Sequence, residues 1–103
     1  MSPRQLEYFL EIYNQKSIKK AAEKLIISPQ AVSKTIKEIE EELGVKLFLR
    51  GKKSLEPTAE AEYLKNHALK ILDEYEKINS IKNLIHRKEK SLLFILSMVF
   101  YNM

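Results

Sequence analysis

Apolar residues recur along this chain in short helical bursts, each opened by a hydroxyl side chain. Leu6, Phe9, Leu10 and Tyr13 follow Ser2 and Gln5, which stand at capping-box spacing. This predicts a helix over roughly Pro3 to Gln15 with those four side chains inward. Ile18, Ala21, Ala22 and Leu25 follow Ser17 at i, i+3, i+4 and i+7, and two alanines on the buried face let a neighbouring helix approach closely. Val32, Ile36, Ile39 and Leu43 then mark a third buried stripe behind Ser28-Pro29. Ser28 can accept hydrogen bonds from the free amides of the first turn, and Pro29 suits the first helical position, where its missing donor costs nothing. The tight link Ile26-Ile27-Ser28 joins two short helices, as a helix-turn-helix over about residues 18–37 requires.

Beyond Leu43 the period changes. Gly44 stands where a left-handed backbone ends a helix. Val45-Lys46-Leu47-Phe48 has strand-like composition, and Gly51 marks a turn before Ser54-Leu55-Glu56. Two short strands around a basic turn make a wing. Thr58 then caps a long helix expected from about Ala59 to Lys88, with Glu60 and Glu62 complementing its positive end. Along it Ala61, Leu64, Ala68, Ile71, Tyr75, Ile78 and Ile85 follow alternating steps of three and four, interrupted once by Lys82. That is a heptad seam. So small a domain cannot bury the whole stripe, and a paired helix from a second copy is the expectation. Folding back onto the three-helix core is the alternative.

The third helix has a second face. Gln30, Ser33, Lys34 and Lys37 form a polar row opposite its apolar stripe. An apolar back with a front of amide, hydroxyl and amines equips a helix to lie in a DNA major groove. Gln pairs bidentately with adenine, Lys reaches guanine acceptors or phosphate, and Ser serves either. At the proposed wing Arg50, Lys52 and Lys53 concentrate positive charge. Such a run is often only a solvated turn; here it suits phosphate or the minor groove. Arg50 has a second possible role, bracing the wing against the acidic end of the third helix.

In this register the chain resembles the LysR-type transcriptional regulators. The resemblance rests on Leu6, Tyr8-Phe9, Ser17, Ala21-Ala22, Leu25 and Ser28-Pro29-Gln30-Ala31-Val32-Ser33. It continues through Ile36, Ile39-Glu40, Leu43-Gly44, Leu47-Phe48, Arg50, Leu55 and Pro57-Thr58, without a gap from about Arg4. It implies a mostly α fold: a winged helix-turn-helix of three helices and a two-stranded wing (residues 1–58), then a long dimerisation helix (59–88). A periplasmic-binding-protein-like effector domain would follow. The implied function is sequence-specific binding of double-stranded DNA at an interrupted palindromic promoter site. The protein would act as a homodimer through the linker helix, antiparallel, with higher oligomers in a full-length form. Candidate DNA contacts are Ser28, Pro29, Gln30, Ser33, Lys34, Lys37, Arg50, Lys52 and Lys53. Two departures stand out. Ala59-Glu60-Ala61 replaces the family's usual Glu-Ala-Gly, which favours an uninterrupted helix start, and the chain stops where the effector domain would begin. No small-molecule effector is therefore expected for this chain.

Composition changes little. The net charge of +4 over 103 residues favours an anionic partner only mildly. The absence of cysteine excludes disulfides and thiolate metal sites and fits a reducing cytoplasm, and no signal core opens the chain. His67 and His86 are too far apart to pair on a metal, Asp73 is the sole aspartate, and no phosphate loop or nucleophile elbow is present. No enzyme activity, metal or cofactor is expected. The glutamates of the third helix are explained by pairs such as Lys34 with Glu38 and Lys37 with Glu41. Residues 89–103 form an uncharged apolar tail from Ser91 on, read as the start of a truncated effector domain with Leu92 to Leu96 its first strand. It is shorter than the roughly twenty residues of a spanning helix. A membrane-surface reading, resting on His86-Arg87-Lys88, is the alternative. A second functional class also fits: an interaction module that pairs with a full-length relative through the heptad seam and modulates it without binding DNA productively alone.

Overall fold

Four helices and one two-stranded sheet follow in chain order: α1 (Pro3–Gln15), α2 (Ile18–Leu25), α3 (Pro29–Leu43), β1 (Phe48–Arg50), β2 (Leu55–Pro57) and α4 (Ala59–Arg87). The structure, a computed structural model, describes residues 1–87 and Val99, with the backbone alone for residues 85–87. The apolar tail of residues 89–103, apart from Val99, lies outside the described residues, and so does the side chain of Ile85. Two units divide the chain, Met1–Leu72 and Asp73–Met103.

In the first unit each helix starts where its hydroxyl cap predicts. The Oγ atoms of Ser2, Ser17 and Ser28 accept from the amides of Gln5, Lys20 and Ala31 at 3.2, 3.1 and 3.1 Å. Thr58 Oγ1 does the same for Ala61 at 3.2 Å. Each such cap contributes about 1 kcal/mol by satisfying a donor the helix leaves free. At Ser2 the box is complete, because its own amide donates to Gln5 Oε1 at 2.8 Å. Two helices end on left-handed residues other than glycine, Lys16 (φ 53°) and Ile26 (φ 59°), and α3 ends on Gly44 (φ 70°).

α1, α2 and α3 pack against one another around Phe9, Ile12, Ala21, Ala22, Val32, Ile36 and Ile39, joined by Leu47 and Ala61. Ile12 is fully buried, although the stripe read from sequence passed to Leu10 and Tyr13, which are only partly covered. Leu43 departs the other way. It sits in the last turn of α3 and is 43% exposed.

The wing pairs Phe48 with Pro57, Leu49 with Glu56 and Arg50 with Leu55, antiparallel. Its first strand starts at Phe48 rather than Val45, because Glu40 Oε2 takes the Leu47 amide at 2.7 Å and so removes it from the ladder. At the tip Gly51 donates to Ser54 O at 2.9 Å, and a Cβ there would stand 2.7 Å from that oxygen. The tip admits only glycine without a shift. Leu55 N, beside the tip, donates to Lys16 O at 3.1 Å and so ties the wing to the end of α1, and at its base Thr58 N donates to Leu47 O at 2.9 Å.

α4 begins in the first unit, past the boundary at residue 58 read from sequence. Ala61 joins the core, Ala68 is buried and Leu64 packs partly against it. The Tyr13 hydroxyl donates to Glu62, which raises the Tyr13 pKa, and Lys65 Nζ lies 4.7 Å from the Tyr13 ring centroid. In the second unit the described side chains of α4 are largely exposed, with Lys77 Nζ 3.3 Å from both Asp73 and Glu74. No described helix is long and apolar enough to cross a membrane.

Candidate nucleic-acid interface

α3 divides cleanly between its two faces. Val32 and Ile39 are inaccessible and Ile36 nearly so, which fixes the rotation of the helix on the core. The opposite face then has only one direction to point. Pro29, Gln30, Ser33, Lys34 and Lys37 line one shallow concave surface together with Glu38 and Glu41. Gln30, Lys34 and Lys37 are exposed and Ser33 is half-covered. The row can donate through amide, hydroxyl and ammonium, and can accept through amide and hydroxyl.

Ser28, Arg50, Lys52 and Lys53 are exposed but do not line that surface. Ser28 Oγ is spent as the α3 cap, accepting from Ala31, and keeps only its own hydroxyl proton for an outside acceptor. Lys52 and Lys53 occupy the wing loop and Arg50 the end of β1. The bracing role considered for Arg50 falls to another residue. Lys46 Nζ reaches Glu40 Oε1 at 3.9 Å, and the other oxygen of Glu40 holds the Leu47 amide. No ion pair of Arg50 occurs among the described residues.

Of the two helical pairs expected on α3, Lys34–Glu38 forms, at 3.9 Å. Lys37–Glu41 does not, among the described residues. Sequence spacing also missed that Gln5 Nε2 donates to Glu38 Oε2 at 3.2 Å, a contact across 33 residues. Met1 likewise reaches Glu42, its amino group 3.0 Å from Oε1.

The residues read as a dimer seam do not share one environment. Ala61 and Ala68 are buried by this chain itself and Leu64 half so, and their burial needs no second copy. Ile71, Tyr75 and Ile78 are 49%, 43% and 62% exposed. Ile81 and Leu84, absent from the heptad reading, are exposed as well, at 52% and 53%. His67 stands exposed with its ring 4.7 Å from that of Tyr63, and no cluster of potential metal ligands occurs among the described residues.

Comparison with known proteins matches residues 3–62 to the family described as bacterial regulatory helix-turn-helix protein, lysR family. The transcriptional regulator BenM of Acinetobacter baylyi is 34% identical over 92 residues, covering 89% of this chain and 30% of BenM. DgcR of a Pseudoalteromonas species, also named a transcriptional regulator, is 42% identical over 91 residues, 88% of this chain and 30% of DgcR. The chain thus spans less than a third of the length of these relatives. Among solved structures, a BenM_DBD/catB site 1 DNA complex superposes with a TM-score of 0.77 at 33% identity, over 84% of this chain and 98% of that one. A CbnR_DBD–DNA complex gives 0.76 at 26% identity, over 84% and 100%.

Proposed function

The chain belongs to the lysR family of bacterial regulatory helix-turn-helix proteins, and from that premise we propose that it binds double-stranded DNA sequence-specifically, as a homodimer, at an interrupted palindromic site. The observation that carries this reading is the concave surface on α3 that gathers Gln30, Ser33, Lys34 and Lys37 opposite the buried Val32, Ile36 and Ile39. BenM_DBD and CbnR_DBD, of like fold, are each solved as DNA complexes. Gln30 and Ser33 read base edges, and Lys34 reads guanine acceptors or phosphate. Lys37, and Arg50, Lys52 and Lys53 on the wing, supply phosphate contacts, which position the protein without carrying sequence information. Ser28 and Pro29 set the start of the helix against the backbone. The place of action is the cytoplasm, where the DNA is.

Dimerisation uses the exposed apolar residues of α4, with Ile71, Tyr75 and Ile78 at its centre. A dimer holds two recognition helices at fixed spacing, so the pair reads two half-sites one helical turn apart or a multiple of it.

Duplexes selected by the wild-type chain from a random pool provide the test, read against scrambled duplexes of the same composition. Gln30→Ala should weaken the selected duplex by about 1–3 kcal/mol and leave the scrambled one nearly unchanged. Lys52→Ala should weaken both alike and lower the salt slope by roughly one unit. Equal losses on both duplexes for Gln30→Ala would refute base reading by α3.

A further inference from the structure

The front of α3 changes sign along its length. Lys34 and Lys37 share the concave surface with Glu38 and Glu41, so a helix offered to a polyanion carries carboxylates on the face it offers. Glu38 is not a loose surface group. Its Oε2 accepts from Gln5 Nε2 at 3.2 Å, and its Oε1 lies 3.9 Å from Lys34 Nζ. The Gln5 amide is fixed at its other end as well, since its Oε1 takes the Ser2 amide at 2.8 Å. The capping box of α1 therefore aims a side-chain amide at α3, and the amide holds a carboxylate that offers the exposed Lys34 ammonium a counter-charge one turn along the helix.

We propose that Glu38 is a specificity-determining residue, positioned by Gln5, that restrains Lys34 from indiscriminate phosphate contact and so penalises random duplex more than a matching site. This rests on the reading of α3 as the DNA-facing helix. In the free protein Lys34 has an internal counter-charge. Phosphate must compete with Glu38 for it, and the carboxylate itself repels the backbone. At a matching site the same carboxylate accepts from the exocyclic amine of a cytosine, and Lys34 reaches guanine without leaving its partner. Random duplex offers neither compensation. Discrimination built from a repulsive element costs affinity everywhere except where the element is satisfied.

The test compares Glu38→Gln, Gln5→Ala, Gln30→Ala and Lys34→Ala, alone and with Glu38→Gln added to Lys34→Ala, on the selected and scrambled duplexes across a salt series. Glu38→Gln is isosteric and keeps an acceptor for Gln5, and a thermal melt checks that it folds. It should tighten binding to scrambled duplex by about fivefold, the upper range for an exposed charge pair. It should leave the selected duplex unchanged or weaker, and steepen the scrambled-duplex salt slope by up to about one unit. Gln5→Ala should move the ratio the same way by a smaller factor, and in the Lys34→Ala background the gain from Glu38→Gln should fall below about twofold. An unchanged ratio for Glu38→Gln, while Gln30→Ala still loses the selected duplex, overturns the proposal and leaves the α3 reading standing. A full fivefold gain that persists without Lys34 overturns the restraint. If Gln30→Ala and Glu38→Gln both leave every isotherm unmoved, the α3 reading fails and takes this proposal with it.

Discussion

Helices α3 and α4 carry apolar residues at the same helical spacing, but their stripes meet different surroundings. On α3 Val32, Ile36 and Ile39 are covered by α1 and α2, and exposure returns only at Leu43. On α4 Ala61 and Ala68 are covered, while Ile71, Tyr75, Ile78, Ile81 and Leu84 are each more than two-fifths exposed. Side-chain size separates the two outcomes better than spacing does. Alanine lets a backbone approach closely, so Ala61 can sit within a core already filled by Phe9 and Ile39. Among the described residues, the bulky side chains farther along α4 are not covered in this way. This exposed run is the surface through which the proposed dimer would form.

The hardest test of that contrast is a charge in the exposed stretch. Ile71→Glu should convert a dimer to monomers at micromolar concentration, because an unpaired carboxylate buried in an apolar interface costs several kcal/mol, roughly a hundredfold or more in dissociation constant. Light scattering reads the mass, and circular dichroism should show the winged domain still helical. A monomeric wild type, or a dimeric variant, would end the idea that these residues seek a second copy.

The covered stretch calls for the opposite variant. Ala61→Leu adds volume where the relative exposure is already 0%. Overpacking of this kind costs about 1–3 kcal/mol. Thermal melts should fall by several degrees for each kcal/mol in a domain of this size, while the dimer persists wherever the protein is folded. Loss of the dimer with no loss of melting temperature would restore Ala61 to the seam in which its spacing first placed it.

Legibility in the sequence follows the same division. Caps are local chemistry, so Ser2, Ser17, Ser28 and Thr58 announce four helix starts, and each forms the predicted bond. The polar row of α3 is legible for the same reason, since its rotation follows from its buried stripe. What escaped depends on side-chain contacts that reach beyond one helical turn. The first wing strand begins late because Glu40 captures the Leu47 amide, and Glu38 is held by a glutamine 33 residues away. No periodicity encodes either contact. Nor could spacing tell that α4 changes surroundings along its length, because heptads describe a stripe and not what lies opposite it.

A smaller effect is expected at the cap between α2 and α3. Ser28→Ala removes the Oγ that accepts the Ala31 amide at 3.1 Å, at a cost of about 1 kcal/mol. The buried stripe of α3 still fixes the helix, so melting temperature should drop slightly with no change in oligomer mass. A collapse of the fold would mean that the apolar back of α3 holds it less firmly than the burial of Val32 and Ile39 indicates.

Ile26 limits how far exposure alone identifies a partner surface, and its variant should have the smallest effect. Its side chain is 89% exposed, more than any residue of the α4 stretch, yet it stands alone rather than in a stripe. It also holds φ at 59°, a left-handed conformation that crowds a β-branched residue and costs roughly 1–2 kcal/mol. Its amide is engaged by the carbonyls of Ala22 and Glu23, a backbone arrangement that any side chain leaves intact. Ile26→Asn removes no buried contact and places there a residue that tolerates this backbone. Stability should therefore rise by about 0.5–1 kcal/mol, read as a melting temperature a few degrees higher. The dimer should be unaffected, because an isolated apolar side chain offers a partner too little area to hold. Should Ile26→Asn weaken the dimer while Ile71→Glu does not, the apolar surface that recruits the second copy would lie at the α2–α3 turn, and the contrast between α3 and α4 would have to be redrawn around it.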